Sequence, residues 1–418
     1  MNIISIITDP DNLFDYDTGI YVFGRSYDAS EQTHPVNRLY DSNYCMRGID
    51  WERSAAIQLF DADRNLILDQ VCGLRIQGGT SRHKLPKSFN LYAREEYSNS
   101  GRFYADLFHT NYMADTVTLF AGGDDEIAKC RDMLIARLAA GRDYAVMHYE
   151  PYVMFLDGEY WGIYWLTEKY DHAYLNYYYN VDSDNVILIK ANSLAEGKQS
   201  DYVTYHEMTD YMTNTDLSSH ENYNYACELI DMQSFIDYYA TEIYIGQRDW
   251  PGNNEALWRV REIKDDKYSD GKWRWMLYDV NGFTILSKDY ATEDTLAITL
   301  ENSDMFHHLC QNEDFKKQFT ITFMDLANSA FSKEKVTPAI SEYINQMKEP
   351  AGVHLKRFFA FEDDNTFMTE MESVQTFFDN RKSYITQYLK DDLGLTGTLA
   401  PVTVEINDAS AGSIVVNT

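Results

Sequence analysis

The chain has 418 residues, enough to bury a large core in two lobes or in one large domain with an appendage. A formal net charge of −30 argues against nucleic acid or an anionic membrane as a general partner. No hydrophobic run approaches spanning length, so no membrane insertion is expected. Cysteines 45, 72, 130, 227 and 310 show no metal-type spacing and read as small buried hydrophobes.

The start, Asn2-Ile-Ile-Ser-Ile-Ile7, reads as a first β-strand and lacks the basic leader of a signal peptide. Further β-type runs at Ile20–Phe23, Ala55–Phe60 and Asn65–Leu68 predict a mostly antiparallel sheet. From Gly73 to Arg94 the pattern is strand, glycine-containing turn, strand, with Arg75, Arg82, Lys84, Lys87 and Arg94 and no acid. Gly78, Gly79, Thr80 and Ser81 can present N–H groups and hydroxyls to phosphate, with Arg82 and Lys87 as charged clamps. The alternative is a hairpin whose basic side chains are solvated or paired with carboxylates elsewhere.

Residues 124–141 carry apolar positions at helical intervals, acids first and Gly last, which predicts one amphipathic helix. Its Glu126, Arg131 and Asp132 are open to three roles: solvated, capping, or paired with a clamp lysine. Two aromatic strands about Asp157-Gly158 predict a hairpin ending near Glu168. Beyond a short helix and a strand at Val186–Ile189, residues Met232 to Gly246 read as a helix that delivers the chain to Arg248-Asp249. Strands follow at Ala256–Val260 and Trp273–Tyr278, then helices at Met305–Leu309, Glu313–Ala330, Thr337–Met347, Gly352–Phe359 and Phe367–Leu389. No His-Glu-x-x-His occurs, which disfavours zinc chemistry. Residues 402–416 read as two short strands.

Within this order, Asp249 is followed five residues on by Asn254, and a later strand ends in Asp279. Metal-dependent phosphoryl transfer needs a carboxylate to orient the attacking hydroxyl, and an Asn and a second carboxylate to hold metal on the phosphates. The same residues are also the usual turn formers, and spacing alone does not separate a catalytic loop from a well-made turn.

Taken together, the Asp-Pro-Asp-Asn start, Gly-Gly-Thr-Ser-Arg82, Pro-Lys-Ser-Phe89, Asp157-Gly-Glu-Tyr-Trp-Gly-Ile-Tyr164, Asp249 to Asn254 and Gly271-Lys-Trp through Asp279 resemble the spore-coat CotH family of atypical protein kinases. The resemblance implies an α+β, divergent protein-kinase-like fold in two lobes. These are a β-rich N-lobe at 1–168 and a mainly helical C-lobe at 169–396, with a short β segment at 397–418 joining a further domain. It implies transfer of the γ-phosphoryl of ATP to Ser or Thr of a protein substrate with Mg2+ or Mn2+. Asp249 matches the catalytic base and Asn254 and Asp279 the metal ligands. Asn281, where the family usually has a second Asp, is a supporting ligand. Gly78, Gly79, Ser81, Arg82, Lys87 and Glu168 match nucleotide-binding positions. A secreted or spore- or cell-surface setting is expected, with the export signal outside this segment. The competing expectation is an acidic, aromatic-rich extracellular module that binds carbohydrate or protein, its kinase-like site vestigial. A glycosidase, with two carboxylates across a cleft, is a third.

Overall fold

A computed structural model describes residues 1–30, 41–359 and 365–396, with the single positions 400, 405 and 410 beyond them. The β segment expected at 397–418 therefore falls outside the described residues, those single positions apart.

Seven strands, β1 (Asn2–Ile7), β2 (Arg53–Phe60), β3 (Leu66–Ile76), β4 (Phe89–Tyr92), β5 (Thr116–Phe120), β6 (Tyr149–Leu156) and β7 (Glu159–Thr167), close into a barrel. The order around it is β1-β2-β3-β4-β5-β7-β6. Alternate residues point inward, as the period of two demands: Ile4 and Ile6, Ala55, Ile57 and Leu59, Phe89 and Leu91, Val117 and Leu119 share one core. Closure comes from β1, which pairs antiparallel with β2 and parallel with β6, Ile4 lying opposite Met154. At the β6–β7 hairpin, Asp157 and Gly158 both adopt positive φ, 49° and 84°, the geometry of a two-residue turn that follows strand twist. Asp157 Oδ1 also accepts the N–H of Thr8 at 2.9 Å, tying the end of β1 to the hairpin.

This closed barrel corrects the expected fold. The chain is α+β, but its β-rich part is not the open sheet of a kinase-like lobe, because β1 leaves no free edge. The mainly helical part beyond it also carries strands, close to those expected at Val186–Ile189, Ala256–Val260 and Trp273–Tyr278. β8 (Val186–Lys190), β9 (Ser193–Glu196), β10 (Ala256–Val260) and β11 (Arg274–Met276) form a second sheet in the order β11-β10-β8-β9. Helices Met232–Ile245, Glu313–Asn328, Lys333–Phe359 and Asn365–Asp392 supply the largest share of the second core. The two helices expected at 337–347 and 352–359 are one.

Two local expectations also change. Ile20–Phe23 is not a strand; Ile20 and Tyr21 instead donate to the carbonyls of Asn12 and Leu13 at 3.0 and 2.9 Å. The helix expected from Asp124 begins only at Arg131 and ends at Leu138. Asp125 is the reason: its Oδ2 accepts the N–H groups of both Cys130 and Arg131, at 2.7 and 2.8 Å, so residues 124–130 fold back as a capping turn. Leu134, Ile135 and Leu138 of this helix pack into the second core, although the helix lies between barrel strands in sequence.

Helix Met232–Ile245 is built to aim a loop. The Asp231 side chain caps its start by accepting the N–H of Ser234 at 3.3 Å, and Gly246 ends it with φ 83°. Arg381, fully buried, fixes that end: it donates to the carbonyls of Tyr244 and Ile243, each at 2.8 Å, and of Glu293 at 2.6 Å.

Candidate active site

The loop after Gly246 and the segment after β11 meet. Gln247 donates from Nε2 to the carbonyl of Asp279 at 3.2 Å and accepts the N–H of Asp249 at 3.2 Å, so one amide joins both stretches. Asp249 Oδ2 accepts from Asn253 Nδ2 at 2.7 Å and from Asn254 Nδ2 at 3.3 Å. Asn254 and Asp279 both hold positive φ, 48° and 59°, a conformation that Asn and Asp tolerate better than most residues. The loop is held from outside by Asn192, whose Nδ2 donates to the carbonyl of Gly252 at 3.0 Å.

Asp279 is exposed to solvent, although protein crowds closely around it. Burial raises its pKa, the Asn281 hydrogen bond lowers it, and the charges of Asp124 and Asp249 raise it further. Asn281, 5% exposed, donates from Nδ2 to Asp279 Oδ1 at 2.6 Å and to Asp132 Oδ2 at 2.8 Å. Its Oδ1 accepts the N–H of Asp124 at 3.3 Å. A Cβ on Gly123 would come within 3.1 Å of the same oxygen, so glycine lets this loop approach the site.

Lys84 is linked to this group through Asp124. Its Nζ pairs with Asp124 and, at 3.1 Å, with Glu126. Burial alone would lower its pKa, but the two carboxylates outweigh it and the pKa is raised. Lys84, Ser81, Ser88, Gly123, Glu126 and Lys129 line a recess beneath the Gly78–Lys84 turn. Arg47 donates to the Gly78 carbonyl at 3.1 Å, steadying that turn.

The structure brings Asp249, Asn254, Asp279 and Asn281 together, with Ser81 and the Gly78-Gly79 turn on the side of Lys84. It does not bring Lys87, Arg82 or Glu168 to this group with free polar ends. Lys87, 3% exposed, donates to the carbonyls of Arg82 and Lys84 at 2.5 and 3.3 Å, and lies 3.8 Å from the centre of the Tyr44 ring. Burial lowers its pKa to about 8. Arg82 is spent on the carbonyls of Gly78, Tyr44 and Met46 at 2.6, 2.9 and 3.1 Å. Glu168, 1% exposed, accepts from the backbone and ring of His148 at 2.8 and 2.9 Å and from Tyr178.

The residues the sequence reading did not single out are Lys84, Asp124 and Gln247; for Glu126 and Asp132 it left several roles open. The run Ala121-Gly-Gly-Asp-Asp-Glu126 directly after a strand was the available signal.

No Lys, Arg or His among the described residues forms an ion pair with Asp249, Asp279 or Asp132, whereas Lys84 neutralises Asp124. Nor do three acidic, His or Cys side chains converge as a ready metal cage. Two carboxylates and two amides around uncompensated negative charge fit a hard cation that keeps waters and takes phosphate oxygens, as magnesium does.

A carboxylate and amide loop joined to a second carboxylate, with a lysine linked to them through Asp124, is the equipment of a kinase-like protein. The chain belongs to the CotH family: the model described as CotH kinase protein matches residues 74–385. No curated protein matches the sequence. Among the described residues no helix is long and apolar enough to cross a membrane.

Proposed function

We propose that this chain transfers the γ-phosphoryl of ATP to a Ser or Thr hydroxyl of a protein substrate. The observation that carries the reading is the joining of Asp249 to Asp279 through Gln247 and of Asn254 to Asp249, the two carboxylates having no basic partner among the described residues. Asp279 and Asn254 would hold Mg2+ or Mn2+, Asn281 supporting them. The metal supplies charge neutralisation on the phosphates. Lys84, exchanging its carboxylates for phosphate oxygens, orients the nucleotide beneath the Gly78–Lys84 turn. Asp249, exposed at the mouth and aligned by Asn253, orients the acceptor hydroxyl and takes its proton.

The acceptor reaches Asp249 from solvent, which suits a protein side chain. A setting at the cell surface or outside the cell, with further domains on the full-length protein, completes the reading.

The test is incubation with labelled ATP, Mg2+ or Mn2+ and an acceptor protein, with nucleotide affinity measured on the same samples. Wild type should label the acceptor, and Asp249→Ala should bind ATP within a few-fold of wild type and transfer nothing. An Asp249→Ala chain that transfers at the wild-type rate, or a wild type with no affinity for metal-bound nucleotide, refutes the proposal.

A further inference from the structure

Asp132 lies outside the loops that carry the proposed chemistry, yet both of its oxygens are committed to them. It sits in the first turn of helix Arg131–Leu138 and is 8% exposed. Its Oδ1 accepts the N–H of Val280 at 2.9 Å and its Oδ2 accepts Asn281 Nδ2 at 2.8 Å. The residue before it acts on the same segment, Arg131 Nε donating to the carbonyl of Ile285 at 2.6 Å. Arg131 is itself held by Asp125 and Glu370. One helix end therefore grips the chain on the C-terminal side of Asp279 at three points.

That grip has a chemical consequence for Asp279. Its φ of 59° is sustained only if its neighbours over-determine it, and Val280 N–H is the next donor along the chain. The Asn281 amide divides its two protons between Asp132 and Asp279, at 2.8 and 2.6 Å, so the Asp132 carboxylate fixes which way that amide faces. With the amide turned over, its oxygen would face the Asp279 carboxylate and its Oδ1 contact to the Asp124 N–H would be lost.

We propose that Asp132 is a positioning residue that holds the Asp279–Asn281 turn in the geometry that receives the metal. It touches neither nucleotide nor acceptor. The inference rests on the phosphotransferase reading above.

Asp132→Asn keeps an acceptor for Val280 but sets one amide NH2 against another at Asn281. In this variant, hydrogen exchange of the segment 279–286 should quicken while the rest of the chain is unchanged. The Mn2+ concentration giving half-saturation in the presence of ATP should rise at least tenfold. Asp132→Glu, which keeps a carboxylate as acceptor for Val280 N–H and Asn281 Nδ2, should hold half-saturation within threefold of wild type. A merely structural role would lower the unfolding midpoint without moving metal dependence.

Metal dependence of Asp132→Asn within twofold of wild type overturns the proposal, as does an Asp132→Glu chain no better than Asp132→Asn. Where Asp132→Asn does not fold, Asp132→Glu decides by the same threefold limit, and an Asp132→Glu chain that also fails to fold makes Asp132 a folding residue and overturns it. A wild type that binds no metal-bound nucleotide ends both the reading and the inference; normal wild-type binding with an indifferent Asp132→Asn ends the inference alone.

Discussion

Replacing Lys84 and Lys87 separately should split nucleotide binding from stability. In Lys87→Ala, two charge-assisted bonds to carbonyls are lost, each contributing about 1.5–3 kcal/mol. The contact with the Tyr44 ring contributes about 2 kcal/mol in so enclosed a place. Against this, removing a cation whose pKa burial has lowered from 10.5 to about 8 returns about 3 kcal/mol of desolvation. The net expectation is a loss of about 2–5 kcal/mol in stability with nucleotide affinity close to wild type. Lys84→Ala should cost less than about 1 kcal/mol, because its ion pairs are partly open to solvent. Its loss should weaken nucleotide binding by about ten- to a hundredfold, the equivalent of one charge-assisted contact to phosphate. Urea unfolding followed by tryptophan fluorescence and calorimetry with a non-hydrolysable ATP analogue read the two effects. Affinity within twofold of wild type for Lys84→Ala would remove it from the site, and weakened binding with unchanged unfolding for Lys87→Ala would show that Lys87 meets the nucleotide.

Asp279→Asn should shift the Mg2+ titration of nucleotide-saturated protein to at least tenfold higher concentration, since a carboxylate is the better magnesium ligand; an unchanged titration removes Asp279 as a ligand. Arg381→Met should cost about 2–4 kcal/mol, because it takes from the Tyr244 carbonyl its buried donor and leaves the carbonyls of Ile243 and Glu293 with Thr295 alone. Arg381→Lys should not rescue it, since a single ammonium cannot reproduce the planar fork, and chemical denaturation would show both. For pH, Lys87, Lys129 and Lys190 all have pKa values lowered to about 8 by burial, below the 10.5 of the unfolded chain. At these three lysines the unfolded state binds more protons between about pH 8 and 10.5, so their contribution to stability rises with pH from 8 to 9.5, against an opposite contribution from the five thiols, whose pKa values burial raises. Lys87→Met should flatten that rise; an equal slope in wild type and variant would contradict the assignment.

Local pattern carried much of the sequence reading. Asp157-Gly158 marked its hairpin, and alternation places Lys87, two residues before β4, on the face of Phe89 and Leu91. That face points into the barrel, where Phe89 and Leu91 are 0% and 1% exposed, so the same regularity that picked out Lys87 also buried it. Period alone does not say which side of a strand is interior. Closure was hidden for a related reason: β1 and β6 pair across about 150 residues, a long-range contact that no local pattern records. The helix start was misplaced because Asp125 turns back on Cys130 and Arg131, and acids in a first helical turn look the same as acids in a capping loop. Asp249, Asn254 and Asp279 were visible as a spacing, but the Gln247 bridge between them depends on where two separate segments cross.

The parallel seam between β1 and β6 bears on how much of this chain can stand alone. The CotH match opens at residue 74, after β1, β2 and most of β3. A chain trimmed to the matched residues would keep β4, β5, β7 and β6 as an open ribbon, with β4 and β6 as raw edges. Phe89 and Leu91 would lose the neighbours that cover them, and two rows of unpaired backbone groups would invite pairing with other copies. Self-association of the trimmed chain is therefore the expected outcome, cured by restoring the residues from Asn2 onward rather than by adding solubilising charge to a sequence already at −30.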